Sequence, residues 1–218
     1  MNSQSEEDYL KALYHLEMEF DSVSTNSIAD YLDMKPSSVT DMLKKLAEKK
    51  FINYQKYKGT SLTKKGKLIA LSIIRKHRLW ETFLVDKLGF GWDQVHIIAE
   101  QLEHIKSEEL IENLDNFLGN PKYDPHGDPI PNKDGEIEKM NQKLLVELKA
   151  SQKGIITGVK KGTASLLNYL DKEKVKLGDS IKVIEILEFD GTYILEINKR
   201  KLTFSEKICQ NLLLETND

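Results

Sequence analysis

The chain has 218 residues, of which 39% are apolar and 31% charged, with 12 Gly, 5 Pro and a single cysteine. These proportions exclude collagen-like, low-complexity and disulfide-scaffold proteins, and the length predicts a few compact domains of about 100–200 residues each. The N-terminal segment is polar and acidic, and no apolar run approaches the ~20 residues that span a bilayer. We therefore expect a soluble cytoplasmic protein with no membrane partner, and the lone Cys209 fits a reducing compartment.

The formal net charge of −3 conceals segments of opposite sign. Residues 33–78 carry thirteen Lys or Arg against three acids, whereas residues 79–139 carry fourteen acids against five Lys. A basic segment beside an acidic one is typical of a protein in which one part meets a polyanion and another holds cations. Two solvated surfaces of opposite sign would give the same balance, so charge alone leaves both interpretations open.

The N-terminal part is predicted to hold three helices and a two-stranded hairpin, from helical apolar spacing followed by alternation. The first helix has acids in its first turn, where negative charge suits the helix dipole. Three helices followed by a hairpin indicate a winged helix-turn-helix. The predicted helices are Ser5 to Phe20, Ser27 to Leu32 and Pro36 to Leu46, and the strands are Phe51 to Tyr57 and Thr60 to Leu62.

The middle of the chain is predicted to be entirely helical. Its apolar residues recur at helical spacing, and a loop containing Pro and Gly follows at residues 119–135. Residues 136–150 have the pattern of a helix or a helical linker. The predicted helices run from Thr63 to about Gly89, from about Asp93 to Lys106, and from Ser107 to Leu118.

From about Gly154 the apolar period changes from helical to alternating. The pair Asp190-Gly191 is a strong hairpin signal, and residues 163–170 have the pattern of a short helix. Short strands at regular spacing indicate a small β barrel, so the fold class predicted for the whole chain is mainly α with a small β barrel. The predicted strands are residues 155–159, 180–187 and 192–197.

The third predicted helix has the composition of a recognition helix. Its N-terminal half places short polar side chains on an outward face, where they can reach base edges and phosphates. Nearby lysines add the phosphate-neutralising charge that supplies sequence-independent affinity. A winged helix used for protein contact is the alternative, and the basic segment favours nucleic acid. The candidate DNA-binding residues are Lys35, Ser37, Ser38, Thr40, Asp41, Lys44, Lys56 and Lys58.

A second constellation lies in the acidic segment, where His96, Glu100, Glu103 and His104 follow one another at helical intervals. On a continuous helix these four side chains would share one face, so that oxygen and imidazole donors converge. On the preceding helix, His77 and Glu81 repeat the spacing of one turn. A bound cation would offset the mutual repulsion of the carboxylates, and we interpret the group as a candidate metal site.

Hydrolysis is the rival function for histidines beside carboxylates. The chain contains no H-E-x-x-H, no G-x-S-x-G and no P-loop, and no nucleophile paired with a base is visible. We therefore predict that the protein is not an enzyme. A winged-helix regulator that senses an organic ligand remains as an alternative function.

Several separated motifs resemble the diphtheria-toxin-repressor family of metal-dependent transcriptional repressors, and more closely its manganese-responsive branch. The resemblance covers nearly the whole chain, with the motifs in the family's order. They are Glu-Asp-Tyr at 7–9, Pro-Ser-Ser-Val-Thr at 36–40, Arg-Lys-His-Arg-Leu at 75–79, Val-His to Glu-His across 95–104, and Pro-His-Gly-Asp-Pro-Ile-Pro at 125–131.

The resemblance implies a homodimeric repressor that binds a palindromic operator in double-stranded DNA, with a divalent metal as corepressor. It implies a primary metal site formed by Asp8, Glu100, Glu103 and His104, with Asp124 as a further oxygen donor. A second site would consist of His77, Glu81 and His96. The implied domains are a winged helix-turn-helix at 1–70, a helical metal-binding and dimerisation domain at 71–140, a linker at 141–153 and an SH3-like domain at 154–218.

Departures from the family pattern bear on the metal. Iron-responsive members have Met and Cys where this chain has Asp8 and Glu100, and carboxylates favour a hard ion, so we expect Mn²⁺ first and Fe²⁺ second. Lys11 stands where two-domain manganese regulators have an acidic ligand, which argues against their paired-metal geometry. Ser165 matches a position that donates a carboxylate or amide in some relatives.

Overall fold

A computed structural model of the chain describes residues 2–55, 58–91, 94–138, 142–160 and 163–216. They form two compact units. The first unit comprises residues 1–77, 100–111 and 131–136, and the second comprises residues 78–99, 112–130 and 137–218. Within the described ranges, no helix has the length and apolar character needed to cross a membrane.

The first unit begins with the predicted three helices and hairpin. Ser3 and Glu6 form a reciprocal capping box at the start of the first helix, and Pro36 occupies the first turn of the third. The core is apolar, with Leu10, Leu13 and Leu43 fully buried. The elements are α1 (Gln4–Glu17), α2 (Thr25–Tyr31), α3 (Pro36–Glu48), β1 (Ile52–Gln55) and β2 (Gly59–Leu62), the two strands pairing antiparallel.

A long helix follows the hairpin without a loop. This helix, α4 (Lys64–Leu88), begins where the hydroxyl of Thr63 accepts the N–H of Gly66 at 3.1 Å. A Cβ on Gly66 would lie 2.0 Å from the carbonyl oxygen of Phe51, so only glycine permits this close approach of helix and hairpin. The helix runs from the first unit into the second.

The next helix is shorter than predicted. It is α5 (Val95–Leu102), followed by α6 (Glu108–Phe117). The predicted start at Asp93 lies outside the described residues. The N–H of Ile105 bonds the carbonyl of Leu102 at 3.1 Å and closes a turn after the helix. Glu103 and His104 therefore lie in this turn, and the expectation that they continue one helical face with His96 is wrong.

The C-terminal part of the second unit is a six-stranded sheet with the order β3-β8-β4-β5-β6-β7, built from antiparallel pairs. Among the described strands β3 and β7 are the two edges, so the sheet is not closed into the small β barrel that was predicted, although the six-stranded domain fits the SH3-like class. Register shifts at Ile156/Gly158 and Val183/Glu185 mark bulges, which bend a sheet without closing it. The elements are β3 (Gln142–Leu144), β4 (Lys153–Val159), α7 (Ala164–Lys172), β5 (Ser180–Leu187), β6 (Thr192–Ile197), β7 (Arg200–Phe204), α8 (Glu206–Cys209) and β8 (Leu212–Glu215).

The segment predicted as a helix or helical linker instead contains β3 and a 3-10 turn at Leu145–Glu147. Gln142 pairs with Glu215 at the far end of the chain, and Leu145 is fully buried in the core of the sheet. Because the partner strand is remote in sequence, the local pattern could not reveal this pairing. Residues 142–147 therefore belong to the sheet domain.

Candidate metal centres and nucleic-acid interface

The candidate DNA-reading residues lie on the outer face of α3. Lys35, Ser37, Ser38, Asp41 and Lys44 are exposed, whereas the apolar positions of the same helix are buried. The Lys44 ammonium lies 3.2 Å from the Asp41 carboxylate, one turn away. This face therefore presents hydroxyls and charges together.

Two further candidates have different surroundings. The half-buried Thr40 donates its hydroxyl hydrogen to the carbonyl of Pro36 at 2.9 Å, so this bond does not use the oxygen lone pairs. Lys58 is exposed at the turn of the hairpin. Lys56, the remaining candidate, lies outside the described residues.

A cluster that we call the α1 cluster consists of Asp8, Glu103 and His104. One ligand atom from each lies within 4.8 Å of the others. The Nε2 atom of His104 is 3.1 Å from the Asp8 carboxylate and 3.7 Å from that of Glu103. Asp8 belongs to α1 and the other two to the turn after α5, so the cluster joins two segments almost a hundred residues apart.

Glu7, which the sequence analysis did not single out, orients the histidine of this cluster. Its carboxylate accepts the Nδ1–H of His104 at 2.7 Å. With Nδ1 as the donor, a neutral imidazole has its lone pair on Nε2, the atom that faces Asp8 and Glu103. Glu7 contacts Nδ1 of His104, and the adjacent Asp8 lies 3.1 Å from Nε2, so two neighbouring carboxylates of α1 contact the ring at both nitrogens. The Glu-Asp pair in the first motif was the available signal.

Lys11 lies inside the same group of side chains. Its ammonium is 2.7 and 3.0 Å from the two oxygens of Glu103, and 3.4 Å from Nδ1 of His77. His77 in turn lies 2.6 Å from Glu103. Burial alone would raise the pKa of the Glu103 carboxyl, but the His77 hydrogen bond and the Lys11 charge lower that pKa below its usual value.

The pKa of Asp8 is shifted in the opposite direction from that of Glu103. The Asp8 pKa is raised, first by burial and further by the neighbouring Glu103 and Glu100, against the opposing influence of His104 and Lys11. Glu100 was expected as a ligand here. Its side chain is half exposed in the last turn of α5, and its carboxylate is 3.9 Å from Lys11. The excess of negative charge around Asp8 is the condition that a bound cation relieves.

The first turn of α1 also connects this cluster to α3. Glu6, adjacent to Glu7, is 1% exposed and accepts hydrogen bonds from Lys49 at 2.7 and 2.9 Å, with Lys45 at 3.0 Å. Burial opposes ionisation of Glu6, but these two lysines lower its pKa to about 2. The recognition helix is therefore linked by ion pairs to the turn that carries Glu7 and Asp8.

The second unit holds another group, the Glu81 cluster, formed by Glu81, Asp124 and His126. His126 Nδ1 is 3.7 Å from Glu81 and 4.0 Å from Asp124. Asp124 thus lies beside Glu81 and His126, a different grouping from the expected one with Asp8. His126 was missed, although its loop motif had been noted. Glu81 also lies 3.4 Å from His96, and His77 precedes it by one turn of α4.

Asp124 organises its own loop. One carboxylate oxygen accepts the N–H groups of His126 at 2.8 Å and Asp128 at 2.9 Å, and the other oxygen is 3.6 Å from Arg78. Burial raises the pKa of Asp124 to about 7, and the charges of Asp128 and Glu81 act in the same direction. The loop is therefore held in place by backbone donors.

The donor set in both clusters is carboxylate oxygen and imidazole nitrogen, which suits a divalent cation such as Mn²⁺ or Fe²⁺. The single Cys209 is buried in the sheet core, where burial raises its pKa to about 12 and keeps the thiol protonated. Ser165 is exposed near the start of α7, with its hydroxyl 3.2 Å from that of Thr163, the capping residue.

The fold and these donor sets define a winged-helix protein with two candidate metal centres. Three family models match the chain in succession. They are described as the iron dependent repressor N-terminal DNA binding domain (residues 1–60), the iron dependent repressor metal binding and dimerisation domain (63–132) and the FeoA domain (143–216).

Curated relatives agree with these matches. The iron-dependent repressor IdeR of Mycobacterium tuberculosis is 35% identical over 125 residues, which are 57% of this chain and 54% of IdeR. The chain therefore spans about half the length of these iron-dependent relatives. The transcriptional regulator MntR of Oceanobacillus iheyensis is 34% identical over 124 residues, which cover 57% of this chain and 84% of MntR.

Solved structures match over nearly the full length. A manganese-dependent transcriptional repressor in complex with manganese is 31% identical, covers 97% of this chain and 99% of that chain, and has a TM-score of 0.75. The manganese regulator SloR is 32% identical, with coverage of 97% and 98% and a TM-score of 0.64. The chain belongs to the diphtheria-toxin-repressor family of metal-dependent transcriptional repressors, as its motifs had indicated.

Proposed function

We propose that the protein is a metal-dependent DNA-binding repressor, with Mn²⁺ as its corepressor and Fe²⁺ as the second candidate. One observation carries the proposal: Asp8 on α1 of the DNA-binding domain shares a donor cluster with Glu103 and His104. The absence of sulfur from the donor set favours the harder Mn²⁺. The metal-dependent relatives named above support the assignment.

Each residue around the cluster has a separable task in this proposal. Glu7 fixes the tautomer and direction of His104, and Asp8 supplies a carboxylate from α1. Glu6 holds α3 through Lys49. Asp8, Glu103 and His104 would hold the divalent cation, which when bound would cross-link α1 to the turn after α5. The ion pairs at Glu6 then transmit that restraint to the recognition helix.

The proposal extends to the assembly. A homodimer would place two α3 helices on successive major grooves of a palindromic operator, and the helical region at 71–140 would form the dimer contact. The winged helix at 1–70 completes the proposed division; the SH3-like domain, expected at 154–218 after a linker at 141–153, would begin at β3 instead, because Gln142 pairs with Glu215. Glu81, His96 and His77, with Asp124, would form the further metal site, and no enzymatic role is proposed.

The metal test uses an operator selected from random-sequence duplexes by the wild-type protein in Mn²⁺. In mobility-shift titrations, Mn²⁺ should raise the affinity by roughly 5–150-fold, the usual range of allosteric coupling. This gain should disappear in Asp8→Asn and His104→Ala, and should persist in Asp30→Asn, an exposed aspartate on α2. Binding that ignores both Mn²⁺ and chelator would favour a regulator of organic ligands instead.

The DNA contacts are tested separately. Lys44→Ala should weaken binding on all sequences and reduce its salt dependence, because a phosphate contact is lost. Ser37→Ala should instead change the preferred sequence. Salt-independent binding would contradict the assignment of this face to phosphate contact.

A further inference from the structure

Lys11 lies on α1 one turn after Asp8 and points into the α1 cluster. Its side chain is 13% exposed, and its ammonium contacts both carboxylate oxygens of Glu103, at 2.7 and 3.0 Å. Glu103 itself is 1% exposed. A buried carboxylate of this kind requires a positive partner, and Lys11 is positioned to supply it.

The position of this ammonium conflicts with metal binding. A divalent ion bound by Glu103 must approach the same oxygens to about 2.0–2.6 Å, and a positive charge 2.7 and 3.0 Å from them repels it. The lysine stem is flexible, and the half-exposed Glu100 carboxylate, already 3.9 Å from the ammonium, offers an alternative partner nearer to solvent. Lys11 can therefore leave Glu103 without becoming a buried unpaired charge.

We propose that Lys11 is a tethered competitor for the cation: its ammonium and the metal contend for the Glu103 carboxylate, so that Lys11 sets the metal concentration at which the repressor responds. This inference rests on the proposed function and adds to it a residue that tunes the threshold without being a ligand. In the protein without metal, the Lys11 ammonium also compensates the charge of the buried Glu103 carboxylate. Removing the Lys11 ammonium should lower the stability of the metal-free protein and should tighten metal binding.

The central experiment is calorimetric titration of the full-length chain with MnCl₂ after chelator treatment. Lys11→Met keeps the length of the side chain and removes its charge, and we expect its Mn²⁺ affinity to rise on the order of tenfold, within the usual range of coupling between sites. Lys11→Arg keeps the charge and should bind no more tightly than the wild type. Lys64→Met is the matched control, because Lys64 is an exposed lysine in the first turn of α4, outside the cluster, and its affinity should stay within twofold of wild type.

Thermal unfolding provides a second measurement with a distinct signature. Lys11→Met should unfold at a lower temperature than the wild type in chelator, since Glu103 loses its ammonium, and should gain more from Mn²⁺. Damage to the fold would weaken binding, so a rise in affinity separates competition from a merely structural role.

The outcomes distinguish this inference from the proposed function. Wild-type binding with tighter binding by Lys11→Met supports both, and binding by Lys11→Met alone supports the competitor role most strongly. Equal or weaker binding by Lys11→Met overturns the role of Lys11 while leaving the proposed function intact. If neither protein binds Mn²⁺ or Fe²⁺, both proposals fail.

Discussion

The α1 cluster and the Glu81 cluster use the same residue types but are assembled in different ways. In the α1 cluster, Glu103 is paired with the Lys11 ammonium, from a helix 92 residues earlier in the chain, and hydrogen-bonded to His77. In the Glu81 cluster, Asp124 is held by backbone N–H groups of its own loop, two and four residues away. The first depends on tertiary contacts between charged side chains, whereas the second is largely organised by a local turn.

The difference appears in the acidity of the two buried carboxyls. The pKa of Glu103 lies below its usual value because hydrogen bonds with His77 and Lys11 and the charge of Lys11 outweigh its burial, while the pKa of Asp124 is raised to about 7 because burial and neighbouring acids dominate. One carboxylate is therefore stabilised in its charged form without metal, and the other is not. That a side chain is a buried carboxylate therefore does not determine whether its pKa is raised or lowered.

The largest expected effect comes from replacing each carboxylate by its amide. Glu103→Gln removes the buried anion that Lys11 and His77 contact and should lower the free energy of unfolding by about 1.5–3 kcal/mol, since Lys11 can turn to the nearby Glu100. Asp124→Asn keeps an oxygen for the loop N–H groups and should cost less than about 1.5 kcal/mol. Urea unfolding in chelator measures the free energy of unfolding of both variants. Equal losses would contradict the claim that the two carboxylates are stabilised in different ways.

A smaller effect is expected at the backbone contact behind His126. The N–H of Val159 on β4 donates to the carbonyl of His126 at 3.0 Å, and a Cβ on Gly158 would lie 2.9 Å from the Cα of Gly127. Gly158→Ala should therefore displace the loop and destabilise the protein by about 1–3 kcal/mol. Hydrogen exchange at residues 124–128 should rise with it, and an unchanged loop would show that β4 does not hold this cluster in place.

Glu7 gives a test confined to the α1 cluster. Glu7→Gln removes the charge that orients His104, and a lost outer partner of this kind typically lowers metal affinity 10- to 100-fold. Mn²⁺ calorimetry should show a loss of about tenfold. The exposed Glu19→Gln on the segment after α1 should leave affinity unchanged. A wild-type affinity in Glu7→Gln would mean that His104 is oriented by its other contacts.

The pH dependence of stability gives a further test of these acidities. Because the pKa of Asp124 is raised from 3.8 to about 7 in the folded chain, the folded state holds a proton that the unfolded state releases between these values. Stability from this group therefore falls as pH rises from about 4 to about 7. Asp124→Asn should flatten that fall in unfolding measurements made in chelator.

Glu6 should give the opposite slope. Its pKa is lowered from 4.5 to about 2, so its contribution is present above about pH 4.5 and is lost as pH falls toward 2. Glu6→Gln should therefore be costly at pH 7 and nearly neutral at pH 2, as judged by urea unfolding. Parallel pH profiles for Glu6→Gln and Asp124→Asn would contradict the assigned acidities.

Local patterns predicted much of the fold. Apolar periodicity located α1 to α4 to within a few residues, because each of these helices begins at a recognisable signal such as Pro36 or Thr63 and buries one stripe. The same reasoning extended α5 through His104, since spacing cannot show where a turn interrupts a helix. The strand β3 was missed because its partner, β8, lies at the other end of the chain.

For the candidate site, the sequence by itself determined the chemistry: carboxylates and histidines in an acidic segment, lysines on a basic helix, and no thiol near either. The tertiary structure alone decided which groups meet. Glu7 reaches His104 across 97 residues and Lys11 reaches Glu103 across 92, and Asp124 joins Glu81 and His126 instead of Asp8. Electrostatic interactions depend on distance and burial in space, and neither quantity is encoded in the spacing of residues along one helix.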